Sequence, residues 1–125
     1  MADQVAREQA KSVIREIVQA SGGRLEGKLR LYKAFYKAHV EYLRATGRDL
    51  TTYPIVHMPR GPGIHDANNL LAEMHNEQLL KVSTGVPGKT NLMVFEVTSP
   101  QANGTEPERS AAVASAATWV KAHGE

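Results

Sequence analysis

The chain has 125 residues, 15 Lys and Arg, 13 Asp and Glu and no cysteine. A domain of this length buries about two-thirds of its unfolded surface, and the lack of cysteine excludes disulfides, thiolate nucleophiles and cysteine-ligated zinc. The formal net charge of +2 is unevenly distributed: residues 1–48 carry ten basic and five acidic side chains, and residues 49–125 carry five basic and eight acidic ones. The basic first part could bind nucleic acid or an acidic protein surface. The alternative is that its charges are simply solvated.

The first predicted helix covers residues 4–21. Four apolar residues recur on one side of it, and two glycines, Gly22 and Gly23, follow where the helix should end. This narrow apolar stripe consists of Val13, Ile14, Ile17 and Val18. We expect it to pack on a single neighbouring element, so that the basic residues of the helix face water; these are Arg7, Lys11 and Arg15.

The second predicted helix covers residues 26–46 and ends at Gly47. Its apolar residues cover a wide arc, which indicates a central helix. The side chains expected to be largely buried include Phe35, Tyr36, Val40 and Leu43. At about 100° per residue, a basic strip on the far side consists of Arg30, Lys33, Lys37, Arg44 and Arg48, interrupted by Glu41. This strip should face either solvent or a partner.

Residues 49–59 lose the helical period, and Ile55, Val56 and Met58 suggest one short strand there. The segment Arg60-Gly61-Pro62-Gly63 predicts a tight turn into a third helix. That helix should cover residues 65–76 with Leu70, Leu71 and Met74 inward. The turn has either this structural role alone or also presents Arg60 and backbone N–H groups to a partner.

Residues 79–83 and 91–98 have strand composition and flank Pro87-Gly88, which predicts a β-hairpin. Three helices followed by a hairpin is the winged-helix order, so the expected fold is a mostly helical α+β domain with a three-helix core.

The remaining residues predict a linker and a small helix. Residues 1–98 are the predicted domain, residues 99–109 have linker composition, and residues 110–125 form an Ala-rich C-terminal helix that Ser110 caps. Trp119 lies on this helix and either anchors it to the domain or contacts a partner.

No enzyme motif accompanies these elements: Gly-x-Ser-x-Gly, P-loop, His-Glu-x-x-His and dinucleotide fingerprints are all missing. The histidines near Asp66 (His57, His65 and His75) match no common metal spacing, so we expect no catalytic residue, metal or cofactor. A DNA-binding third helix is the main alternative to a protein-binding role. Because that helix lacks Arg and Lys and contains acids, only Asn68 and Asn69 favour base contacts.

The order and spacing of motifs resemble those of the Panacea domain of SocA-like antitoxins, over roughly residues 10–98. In that family a basic-aromatic helix leads through a Gly-Arg or Gly-Lys loop into a Gly-Pro turn. The matching positions are Arg30, Leu31, Lys33, Phe35, Tyr36, Ala38, Gly47, Arg48, Leu50, Thr51, Pro59, Gly61, Pro62, Leu70, Leu71, Leu79 and Leu80. The resemblance implies a bacterial or phage antitoxin that neutralises its toxin by direct contact, without catalytic residues.

The expected partner is therefore a cognate protein toxin, with a protease as a further partner in the adaptor alternative; the other alternative is a winged-helix transcriptional regulator. We expect nucleic acid and membranes not to be partners. The N-terminus lacks a signal-peptide pattern and no apolar run reaches the roughly 18 residues of a membrane span, so the expected location is the cytoplasm. The candidate partner-binding residues are Lys33, Lys37, Arg44, Arg60, Gly61, Pro62 and Trp119.

Overall fold

The structure, a computed structural model, describes residues 4–59, 61–86, 89–97 and 107–123. In chain order its elements are α1 (Gln4–Ala20), β1 (Arg24–Glu26), α2 (Lys28–Thr46), β2 (Ile55–Met58), β3 (Gly61–Ile64), α3 (Ala67–Asn76), β4 (Lys81–Val86), β5 (Lys89–Glu96) and α4 (Pro107–His123). The prediction of a mostly helical α+β fold is confirmed. The likeness to a winged helix stays a prediction.

The strands form two small antiparallel sheets. One has the order β1-β5-β4 and contains the predicted hairpin, and the other pairs β2 with β3. β3 was predicted to be only a turn, but Gly61–Ile64 pairs with Ile55–Met58 residue for residue. Pro62 is tolerated in such a two-stranded sheet because an edge strand has an N–H side that needs no partner. A β-carbon at Gly63 would clash with Met58 Sδ, so the side chain of Met58 lies directly over this glycine.

The hydrophobic core lies where α1, α2 and α4 pack together over the larger sheet. Its fully buried members include Val13, Ile14, Ile17, Leu31, Phe35, Leu70, Met74, Phe95 and Ala116. The central position predicted for α2 is correct, since α2 contacts α1, α4 and strands of both sheets. In contrast to the prediction, α3 packs mainly on α1 and β4, and α4 is the helix that covers α2.

Helix α4 begins at Pro107, inside the predicted linker of residues 99–109 and three residues before Ser110. It runs antiparallel to α2, because its start lines a cavity with Glu41 and Ala45 whereas Trp119 lies at Lys37. Arg109 donates hydrogen bonds to both carboxylate oxygens of Glu16 on α1. The C-terminal helix is therefore packed against the helical core.

Two of the side chains predicted to be buried on α2 are exposed. Phe35 is fully buried, but Tyr36 is 46% exposed and Leu43 is 48% exposed. Helix α4 and the other core elements cover the arc of α2 around Leu31 and Ala38, which leaves the adjacent apolar edge uncovered. Helix α2 ends as predicted, with Gly47 in the left-handed region at φ 73° and its N–H donating to Leu43 O.

The prediction that the basic residues of α1 face water is wrong. The side chain of Lys11 is only 2% exposed and Arg15 is buried as well. Lys11 Nζ contacts carboxylate oxygens of Glu8 at 3.0 Å, Glu73 at 3.0 Å and Glu77 at 2.9 Å. The three donors of an ammonium group match these three acceptors, so the buried charge is fully paired.

Helix α3 and the residues at its two ends supply three of the four acids in this ionic cluster, which are Asp66, Glu73 and Glu77. Arg7 donates from Nε and Nη2 to the two carboxylate oxygens of Glu73, and its Nη1 lies 3.6 Å from Asp66 Oδ2. Arg15 Nε donates to the backbone carbonyl of Leu79 at 3.1 Å. The excess of basic residues before position 49 and of acidic residues after it is thus partly paired inside the fold, which positions α3 on α1.

This cluster predicts a loss of stability in acid. Hydrogen bonds from Arg7 and Lys11 lower the pKa of Glu73 from 4.5 to about 2. Since the folded pKa lies below the unfolded one, the stabilisation is complete above about pH 4.5 and is lost as the pH falls towards 2. We expect urea unfolding of the native protein to lose more free energy between pH 5 and pH 3 than unfolding of Glu73→Gln. Parallel pH profiles of the two proteins would contradict this role of Glu73.

Candidate functional site

The exposed side of α2 combines apolar and basic side chains on one rigid helix. Successive residues turn by about 100°, so the cations form a row directly beside the exposed apolar side chains. The prediction that the basic strip lies on the far side of the helix is wrong for these side chains. We call this surface the α2 outer face; its apolar row is Tyr36, Val40 and Leu43 and its basic row is Lys33, Lys37 and Arg44. All three cations were predicted site residues, whereas the apolar row was predicted to be core.

A single carboxylate lies within the basic row. Glu41 Oε2 is 3.3 Å from Lys37 Nζ and 3.6 Å from Arg44 Nη1. Ion pairs of this kind at a protein surface are worth at most about 1 kcal/mol, so they do not prevent the cations from pairing with another molecule. Three cations and one carboxylate leave the row with a formal charge of +2.

Trp119 lies beside the basic row. Lys37 Nζ is 5.5 Å from the centroid of the Trp119 ring, within the range of a cation–π interaction. The ring is partly buried and packs against the hydrophobic core. The structure therefore brings together two residues that the sequence placed in alternative sites, and it supports the anchoring role of Trp119.

An apolar groove follows the other edge of the outer face. It has a volume of about 390 Å³ and lies between α2 and the segment that leads into β2. The apolar and aromatic side chains that line it are Tyr36, Val40, Leu43, Leu50, Tyr53 and Ile55, and the polar lining residues are His39, Asp49, Thr51 and Thr52. A groove of this size and lining accepts one or two apolar side chains of another molecule.

His39 links α2 to the segment that forms the other wall of this groove. Its Nδ1 donates to Phe35 O at 2.7 Å, which leaves Nε2 to accept from the Thr51 hydroxyl at 2.7 Å. Thr51 Oγ1 in turn accepts the Tyr53 N–H at 3.2 Å. Burial lowers the pKa of His39, so the ring is neutral at pH 7 and the chain of hydrogen bonds is complete. The groove wall from Leu50 to Ile55 is thereby fastened to α2.

The predicted turn residues lie elsewhere. Arg60 is outside the described residues, and Gly61 and Pro62 are partly exposed on β3. β3 packs against α2 and pairs with β2, whose Ile55 lines the groove. The second sheet is thus the outer border of the groove.

The sequence contained a signal for the groove that was assigned to the core. Tyr36, Val40 and Leu43 widen the apolar arc of α2 beyond what one layer of neighbours covers. The described residues contain no group of three or more His, Asp or Glu that could hold a metal. In the same residues no helix combines the length and apolarity of a membrane span.

The comparisons with known proteins do not extend this picture. The likeness to SocA-like antitoxins therefore rests on the order and spacing of the motifs in this sequence and stays a prediction. No protein-family model, no curated protein and no solved structure matches the chain.

Proposed function

We propose that the chain is an antitoxin that neutralises a cognate protein toxin in the cytoplasm by binding it through the α2 outer face. The observation that carries this proposal is the half-exposed pair Tyr36 and Leu43 beside a row of three cations, on the helix that is packed most centrally in the fold. Large apolar side chains exposed together on a rigid element are typical of a binding surface. The motif resemblance points to the same class of function.

The chemistry of the surface defines the partner. Tyrosine and arginine are enriched among the residues that dominate binding energies, and Tyr36 and Arg44 lie on the two rows of this face. The formal charge of +2 on the basic row favours an acidic surface on the toxin, and the groove favours one or two protruding apolar side chains beside it. The expected partner surface is therefore acidic with an apolar centre.

The experiment begins with the open reading frames that flank the gene. Each reading frame is expressed in cells, first alone and then together with this chain. We expect one product that stops cell growth when expressed alone and does not affect growth when this chain is expressed with it. If no neighbouring product is toxic, or if this chain leaves the toxicity unchanged, the antitoxin function is wrong.

The triple variant Lys33→Glu, Lys37→Glu, Arg44→Glu should abolish this rescue while keeping the fold. Charge reversal in the rim of an interface chiefly slows association and makes it more sensitive to salt. The matched control is Lys28→Glu, Lys81→Glu, Lys121→Glu, which changes the net charge equally at residues outside the outer face. Rescue that survives in the first variant, or fails equally in both, would place the toxin on another surface.

Two further variants test the apolar row of the α2 outer face and the alternative site at Trp119 on α4. Tyr36→Ala should weaken toxin binding by about 2 kcal/mol or more, because an aromatic side chain at the centre of an interface has a large effect. Trp119→Phe keeps an aromatic ring against the core and should leave rescue intact. Loss of rescue in Trp119→Phe together with normal rescue in Tyr36→Ala would move the site to α4.

The alternative function is that of a transcriptional regulator, which can be tested by measuring how the purified protein binds duplex DNA. Glu73 and Glu77 of the α3 region are held by Arg7 and Lys11, and α3 itself carries no Lys or Arg. We expect only weak binding to duplex DNA with a strong dependence on salt. Nanomolar binding to one sequence near physiological salt would favour a transcriptional regulator.

A further inference from the structure

A second cavity, distinct from the groove, lies at the start of α2. Its volume is about 300 Å³, and its walls come from the end of α1, from β1, from the first turn of α2 and from the end of α4. The lining residues are Ser21, Arg24, Leu25, Glu26, Arg30 and Lys121. Three cations from three separate elements and one carboxylate give this cavity a formal charge of +2.

The positive charges of the cavity are only partly paired. Arg24 Nη2 lies 2.8 Å from Glu26 Oε2, so the carboxylate is engaged by one of the three cations. Arg30 and Lys121 have no ion pair within the described part of the chain. Arg30 Nε is in addition the only buried side-chain nitrogen or oxygen recorded there without a hydrogen-bond partner. A guanidinium offers five donors, and a buried donor without an acceptor destabilises the protein.

The start of α2 adds to this positive potential. The helix has 19 residues, and the side chain of its N-terminal neighbour contributes no capping hydrogen bond because that residue is Gly27. Uncapped backbone N–H groups and the positive end of the helix dipole favour an anion. Glu26 precedes this helix start and Arg30 lies in the first turn, and both line the cavity, so the cavity lies beside the positive end of the helix.

We propose that this cavity binds a phosphate dianion, either as the free ion or as the phosphoryl group of a small molecule. The charge of such a group, about −1.5 to −2 at pH 7, complements the formal charge of +2. Arg30 lines the cavity, and phosphate oxygens accept hydrogen bonds from a guanidinium in the paired geometry that arginine favours. A volume of about 300 Å³ has room for a phosphate or a short ester.

Calorimetric titration of the full chain with inorganic phosphate and with methyl phosphate tests this, at pH 7.5 and at an ionic strength held constant with sodium chloride. We expect saturable binding of both. Tighter binding of inorganic phosphate identifies the free ion as the preferred ligand, and tighter binding of methyl phosphate identifies a phosphorylated small molecule. Equal affinities show that the cavity recognises the phosphoryl group alone. If neither phosphate binds more tightly than chloride, the proposal is wrong.

The variants separate a defined site from general attraction to a basic protein. Arg30→Gln should lower the affinity for phosphate at least about tenfold, since it removes charge-assisted hydrogen bonds. Lys121→Gln changes an exposed residue and should lower the affinity for phosphate by a smaller factor. Lys33→Gln removes the same charge from the same helix outside the cavity and should leave the affinity unchanged. Equal losses in Lys33→Gln and Arg30→Gln would show that there is no specific site.

The charge of the ligand provides an independent check. The dianion of a phosphate monoester takes up one proton near pH 6 and becomes a monoanion, so the affinity for methyl phosphate should fall severalfold between pH 7.5 and pH 5. Sulfate keeps both negative charges in this range, and its affinity should stay constant. Parallel behaviour of the two anions would contradict selection of a dianion by this cavity.

Discussion

Replacement of Phe35 by alanine should destabilise the protein by about 3–5 kcal/mol. The ring is fully buried at the centre of α2 and contacts the His39 ring, with a centroid distance of 4.5 Å and an angle of 47° between the two planes. The substitution removes apolar contacts and leaves a cavity in the close-packed core, which relaxes only partly around it. Urea unfolding of the native and variant proteins at pH 7 measures this difference.

Tyr36→Ala is the matched control for this prediction. The two aromatic residues are adjacent in the sequence, but Tyr36 is 46% exposed and lies on the α2 outer face. Its replacement should change the free energy of unfolding by under about 1 kcal/mol. Equal losses in the two variants, or an unchanged midpoint for Phe35→Ala, would mean that the core does not centre on this face of α2.

The helices were predictable because their signals are local. Periodic apolar residues and terminal glycines gave helix two as residues 26–46, and the structure has Lys28–Thr46. The two-residue difference at its start has a tertiary cause: Arg24–Glu26 pairs with β5, and Gly27 donates its N–H to Met93 O. Pairing with a strand that follows about 70 residues later leaves no mark on the helical period.

The exposed residues of α2 were not predictable in the same way. Periodicity showed that its apolar arc is wide, but the part that is covered depends on where α4 lies. Helix α4 is Ala-rich with little apolar contrast between its faces, so the sequence did not indicate how it would pack. Tyr36 and Leu43 were assigned to the core for this reason, and the groove beside them was missed.

The error about Lys11 and Arg15 has a related origin. Buried lysine and arginine are rare, so exposure was the reasonable expectation for charged residues on a narrow amphipathic helix. Their partners Glu73, Glu77 and Leu79 lie more than 60 residues away in the chain. The one clue was the excess of basic residues in the first part and of acidic residues in the second, which was interpreted as a feature of the surface alone.

Replacement of Lys11 by methionine should destabilise the protein by about 1.5–3 kcal/mol at pH 7, the range for hydrogen bonds to charged groups. Methionine keeps much of the apolar stem of lysine, so the change mainly removes the ammonium group from Glu8, Glu73 and Glu77. The desolvation cost of a buried ion pair opposes this loss. Here the three carboxylates remain close together with only Arg7 to neutralise them, so the loss should outweigh the gain.

The dependence of this effect on pH separates lost pairing from lost packing. Lys11→Met should approach the native stability as the pH falls from 5 to 3, because protonated carboxylates no longer repel one another and no longer need the ammonium group. Adding Glu77→Gln to Lys11→Met should recover part of the loss at pH 7 for the same reason. Lys33→Met, at a lysine on the α2 outer face, should change the free energy of unfolding by at most about 0.5 kcal/mol. If the loss in Lys11→Met is the same at every pH, the lysine stabilises the fold through its apolar stem, and the ionic cluster does not hold α3 on α1.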